Sequence, residues 1–136
     1  MSRENIETVR GLYEVWNGPG PPERLLRLMA PNVEYVNPSN AVEPGIRRGH
    51  EGVLEALASL DAAFDEYGHE SEALVDLGDR VLAWVIFRAR ATTGELRYEQ
   101  AEAQIWTLRD GLITRLEWFH DRAEALKTAG LSERGD

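Results

Sequence analysis

The chain reads as an α+β protein, with helices first and an antiparallel meander later. Two observations carry this. Apolar residues recur at helical spacing before residue 65, and three long segments after residue 80 alternate with a period of two. Those segments are VLAWVIFRAR from Val81, RYEQAEAQIWTL from Arg97 and LITRLEWFH from Leu112, joined by ATTGEL and by RDG. A parallel sheet, or a helix between Val81 and Leu108, would contradict the reading.

The elements follow in order. Ile6, Val9, Tyr13 and Trp16 share one helical stripe, with Leu12 beside them. The run from Asn17 to Pro21 (NGPGP) stops that helix, and Pro22 is placed to open a short second one with Leu25, Leu26 and Met29 inward, ending before Pro31. Val33 to Asn37 makes a short strand stopped by Pro38, and the loop from Pro38 to Gly49 is expected to be irregular. A third helix carries Val53, Leu57, Leu60 and Phe64 on one stripe, and a strand spans His69–Leu77. After the three long strands, Asp121 to Ala129 closes the fold as a helix with Gly130 as its C-cap. Without repeats, linkers or low-complexity segments, residues 1–136 are expected to form one domain.

Composition narrows the function. The chain has 136 residues, 43% hydrophobic and 29% charged, enough to bury a core without staples. A net charge of −9 opposes binding to nucleic acid or to an anionic membrane surface. No apolar run approaches the ~20 residues needed to span a bilayer. Cysteine is absent, which removes thiol nucleophiles and Cys-ligated metals. The charged N-terminus lacks the apolar core of a signal peptide, and the expectation is a cytoplasmic protein.

Chemistry concentrates on the long strands. Alternation places Trp84, Ile86 and Arg88 on one face, Gln100, Glu102, Gln104 and Trp106 on one face, and Leu116, Trp118 and His120 on one face. A core does not want charge, and a solvated face does not want three tryptophans. The mixture suits an apolar pocket with a few placed polar groups. The expected pocket holds Tyr35, Asn37, Arg88, Glu102, Gln104 and His120, walled by Trp84, Trp106 and Trp118. Pairing residue 88 roughly with 102 makes Glu102 the candidate base, with Arg88 and His120 tuning its protonation. Such acid–base chemistry needs no cofactor. The same residues also read as a cross-strand ion pair at the sheet's edge with His120 exposed. The opposite facing of the strand from Arg97 is equally compatible with alternation. It would turn Ala101, Ala103 and Ile105 toward the helices. Tyr13 and Trp16 fit the core by their spacing and are also counted among the ligand-binding residues. His50 and His69 have no partner at ligand spacing, so no metal site is expected. Apolar residues on both faces of the long strands predict a homodimer that covers the outer face.

Longer phrases carry a family resemblance. NIETVRGLYEVWN, MAPNVEYVNP, RRGHEGVLEAL and above all QIWTLRDGLITRLEWFHDRAEALKTAGL resemble the SnoaL-like branch of the nuclear-transport-factor-like or ketosteroid-isomerase-like superfamily. The resemblance covers nearly the whole chain and implies a cone, a curved sheet wrapped over helices, commonly paired through the sheet. In ketosteroid isomerases an Asp before the proline that ends the first strand is the base. Here Asn37 stands there and cannot abstract a proton. Their helix-one tyrosine and late-strand aspartate fall near Leu12 or Tyr13 and near Gln104. Tyr35-Val36-Asn37 matches the water-holding Tyr-x-Asn of limonene-epoxide hydrolases, whose acidic partners fall near Arg88 and Trp118. The resemblance therefore implies a pocket for an apolar or aromatic small molecule. An isomerisation, cyclisation or hydration is the expected class of reaction, and a non-catalytic binding or interaction module is the alternative.

Overall fold

A computed structural model describes residues 2–41, 43–92 and 96–131. Helix α1 (Ser2–Asn17) is followed by a 3-10 helix (Pro22–Leu28), strands β1 (Met29–Asn37) and β2 (Gly45–Arg48), and helix α2 (Gly49–Ala63). Strands β3 (Phe64–Asp76), β4 (Arg80–Ala91), β5 (Arg97–Arg109) and β6 (Leu112–Phe119) then run in succession to helix α3 (Arg122–Ala129). The six strands form one curved, mostly antiparallel sheet in the order β2-β1-β6-β5-β4-β3, with β1 and β6 the parallel pair. This is the α+β cone expected from the sequence.

The two faces of the sheet are covered differently. On the inner face, Val9, Leu12 and Tyr13 of α1 and Val53, Ala56 and Leu57 of α2 pack on Val33, Tyr35, Val81, Ala83, Val85, Trp106 and Leu116. The outer face carries a second cluster, in which Ala125 and Ala129 of α3 cover Leu82, Ala103, Ile105 and Phe119. Asp121 caps α3 by accepting from the Ala123 backbone N–H at 2.8 Å, and Gly130 ends it at φ 81°, in the left-handed region that glycine adopts without strain. The outer-face residues Leu82 and Ile105 are thus buried by the chain's own last helix.

Local departures from the expected elements have physical causes. Met29 begins β1 rather than ending the short helix, and Pro31 is accommodated within that strand. The loop read as irregular contains β2, which pairs Arg47 with Tyr35 at the sheet's edge. Strand β3 starts at Phe64, five residues earlier than the sequence suggested, because register shifts at Phe64/Glu66 and Ser71/Ala73 break its alternation. The tip of the ATTGEL connection, residues 93–95, lies outside the described residues.

Candidate active site

The site is built at one end of the cone, where β1 and β6 finish, β3 and β5 begin, and α1 and α2 end. On β5 the inner face carries Gln100, Glu102, Gln104 and Trp106, as the parity argument held. Gln104 pairs in register with Trp118 and Trp106 with Leu116, which brings the inner residues of β6 beside them. Tyr35 lies in the adjacent parallel strand, in register with Leu116.

Two tiers of side chains are present. In the deeper tier the Tyr13 hydroxyl donates to Gln104 Oε1 and accepts from Trp106 Nε1 at 2.9 Å, so three buried polar groups satisfy one another. The nearer tier contains Glu102, His120, Gln100, Trp118 and Asn37. Trp118 Nε1 donates to Asn37 Oδ1 at 2.6 Å, which holds the end of β1 against β6. Gln100 Nε2 donates to His120 Nδ1 at 2.7 Å, leaving that nitrogen an acceptor and the imidazole proton on Nε2. The Trp118 and His120 rings meet edge to face, 4.7 Å apart.

Glu102 is the unusual member. Only 6% of it is exposed, and its Oε2 lies 3.6 Å from His120 Nδ1, beyond hydrogen-bonding distance. Burial without a cation in contact pushes its carboxyl up to about 7 from an ordinary 4.5. Its charge is felt around it. The hydroxyls of Tyr13 and Tyr35 are raised, first by burial and then by Glu102. The Glu102 backbone is fixed from the outer face. Arg122 donates to the carbonyls of Glu102 at 3.2 Å and Val85 at 3.0 Å, and these two residues are register partners.

Two site residues expected from the sequence lie elsewhere. Arg88 pairs with Glu99, not with 102, and points to the outer surface, where it bridges Glu70 at 3.2 Å and Glu99 at 3.5 Å. Trp84 is on the same outer face, with the Arg122 guanidinium 5.2 Å from its ring centre. The cause is register. The β4–β5 hairpin closes on Arg90↔Arg97, three residues away from the assumed pairing, and an odd slip exchanges the faces of a strand. The inner face of β4 carries Val81, Ala83, Val85 and Phe87 instead.

The structure adds residues that sequence reasoning passed over. His69, read as an unpartnered strand start, is 5% exposed and stacks on Trp16 with ring centres 4.1 Å apart. Asn17 ties it down, donating to the His69 carbonyl at 2.7 Å and accepting from the His69 N–H at 2.9 Å. Phe87 lies 5.1 Å and Tyr67 6.2 Å from the imidazole. Beside this group a cavity of about 280 Å³ opens between Trp16, Tyr67, Leu25, Leu57, Asn17 and Asp61. Among the described residues no group of three or more His, Cys, Asp or Glu is arranged to hold a metal ion.

Comparison with known proteins agrees with this architecture. An NTF2-like protein from Burkholderia xenovorans LB400 is 24% identical and superposes with a TM-score of 0.74, covering 95% of this chain and 97% of that one. A protein with a ketosteroid isomerase-like fold from Catenulispora acidiphila, in complex with trimethylamine, is 20% identical with a TM-score of 0.75, covering 96% and 97%. TerC, co-crystallised with polyporic acid, is 25% identical with a TM-score of 0.74, covering 93% and 98%. No relative is found among curated proteins. The SnoaL-like domain family matches residues 9–116, well over half of the sequence, and the chain belongs to that family.

Proposed function

We propose that the protein binds an apolar or aromatic small molecule at the end of the cone and catalyses a cofactor-independent proton transfer on it, with Glu102 as the acid–base group. The observation that carries this reading is the buried carboxyl of Glu102 on the inner face, held near neutrality by desolvation alone. A group whose pKa matches the working pH takes and returns a proton with the least mismatch. An isomerisation, an aldol-type cyclisation or a hydration uses such a step. Tyr35 and Asn37 stand on β1, across β6 from Glu102, and in this reading supply a hydroxyl and an amide for a carbonyl or a water. His120, clamped by Gln100, stands 3.6 Å from the carboxyl and bounds the site on that side. The relative crystallised with polyporic acid supports a small-molecule ligand.

A non-catalytic binding role is the second reading. It is favoured by the Tyr13–Gln104–Trp106 network, which fills the deeper tier with mutually satisfied side chains. The two readings separate on one variant. Native mass spectrometry of freshly purified protein is expected to show a retained small molecule. Glu102→Gln should keep that molecule bound while ending its turnover, because the amide preserves shape but takes no proton. Undiminished turnover in that variant removes Glu102 as the base. A bare protein mass, together with no binding of aromatic fragments, removes the pocket. We also propose that two chains pair through the outer face of β3–β5 left uncovered by α3, where Ile86 is half-buried and Ala101 exposed. A monomeric mass by light scattering at micromolar concentration would count against pairing.

A further inference from the structure

We infer that His69 is a ligand-binding group, set behind the Trp16 and Tyr67 wall of the cavity on the β3 side, that takes a hydroxyl or carbonyl oxygen of an uncharged, flat molecule. The inference rests on the small-molecule reading above and adds a named residue and a ligand chemistry to it. Its basis is an imbalance. The His69 backbone is held twice by Asn17 and its ring is packed against Trp16, Phe87 and Tyr67, yet its Nδ1 is buried with no hydrogen-bond partner. A buried nitrogen without a partner is destabilising, whereas an apolar side chain of the same shape is not. Folded proteins satisfy nearly all such groups, so an orphan beside a cavity marks a place where a bound molecule completes the bonding.

The surroundings define what that molecule is like. Burial alone lowers the imidazole pKa to about 3, so the ring is neutral at physiological pH and offers one N–H and one lone pair. A neutral ring gives no stabilisation to an anion by charge, but it accepts from or donates to an alcohol or a phenol and donates to a ketone. Trp16 and Tyr67 both line the adjacent cavity and both lie against His69, so the wall between cavity and imidazole is aromatic, while Arg24, Asp61, Asp65 and Glu66 also line the cavity. The Trp16 Nε1, buried beside the Tyr67 hydroxyl, adds a donor to the same stack. An oxygen atom that reaches this stack meets a fixed donor and a group able to serve in either sense.

The test compares 2-naphthol with naphthalene, two flat probes that differ by a single hydroxyl, by ligand-observed NMR on the full chain. The unaltered protein should prefer 2-naphthol. His69→Phe keeps the ring that stacks on Trp16 and removes both nitrogens. It should lower that preference about fivefold while leaving naphthalene affinity within about twofold, the size of one lost neutral hydrogen bond. The thermal midpoint of this variant should equal or exceed that of the unaltered protein, because the orphaned nitrogen is gone. His69→Leu is the parallel variant if the phenyl ring does not fit. An unchanged preference in the variant that folds overturns the inference, assigning the Nδ1 to a structural water. Equal weakening of both probes also overturns it, leaving His69 a packing residue, as does failure of both variants to fold. If neither probe binds the unaltered protein, the small-molecule reading falls and this inference falls with it.

Discussion

The carboxyl of Glu102 makes a quantitative prediction about stability against pH. In the unfolded chain it titrates near 4.5, and in the folded protein near 7. Below pH 4.5 it is protonated in both states and contributes nothing. Between 4.5 and 7 the unfolded chain releases the proton while the folded protein keeps it, so the unfolded state binds fewer protons and stability falls as pH rises. Above 7 the loss is complete. The shift of about 2.5 pKa units corresponds to about 3 kcal/mol. Since only 6% of the residue is exposed, solvent screening removes little of this. Glu102→Gln abolishes the titration and isolates it from every other group. Urea unfolding of both proteins at steps from pH 4 to 8 reads the difference. The two should be equally stable within about 1 kcal/mol at pH 4, and the Gln variant more stable by roughly 3 kcal/mol at pH 8. A difference that stays flat with pH, or one that shrinks as pH rises, would show that Glu102 is ionised normally and that the reasoning about its burial is wrong.

His69 should act with the opposite sign. Its folded pKa is lowered from 6.5 to about 3, so stability is lost as pH falls through that window, by up to about 5 kcal/mol. The His69→Phe variant should accordingly resist acid unfolding, read as a lower pH midpoint by circular dichroism. Arg88→Ala should change ligand binding and turnover by less than twofold and leave the urea midpoint nearly unchanged, because its partners Glu70 and Glu99 are surface groups. A large loss of turnover would return Arg88 to the site. Gly52→Ala should destabilise by about 1–3 kcal/mol by urea titration, since its new Cβ would sit 2.8 Å from the Arg47 carbonyl carbon, a backbone atom with nowhere to move.

Most of the fold was legible because its long elements obey one period each. The α1 stripe of Val9, Tyr13 and Trp16, the α2 stripe of Val53 and Leu57, and the alternation in β5 and β6 all survive in the structure. What was not legible depends on pairings across chain gaps. The face of β4 is fixed by where the hairpin closes, and a connection of several residues leaves that open. Val81, Ala83 and Val85, the small set, share the inner core with α1. Trp84, on the other parity, needs the room outside and finds the aliphatic and cationic parts of Arg122. His69 escaped notice for a related reason. The register shifts in β3 destroy the alternation that would have marked the residue as inward.

The part of the site that was readable followed from a pattern that breaks an ordinary rule. In β5 the sequence Glu102-Ala103-Gln104-Ile105-Trp106 puts polar groups and a tryptophan on one face, and alanine and isoleucine on the other. A half-buried strand normally turns its polar residues to water. Here the outer face is small because α3 lies on it, with Ala103 beside Ala125 and Ala129, and the small side chains let helix and sheet approach closely. The polar face must then be the inner one, where each polar group needs a partner or a use. Gln104 and Trp106 have their partner in Tyr13. Glu102 has none at hydrogen-bonding distance, although it sits one step farther along the same face. Local rules that fail at a single residue, within a strand that otherwise satisfies them, point to a residue retained for chemistry rather than for folding. A trade-off between stability and turnover is the expected consequence. Glu102→Leu, which restores an apolar inner face, should leave the fold intact and raise stability at neutral pH, while turnover is lost. A Leu variant that unfolds would mean that the carboxyl is a structural necessity and that the site must be sought elsewhere on the inner face.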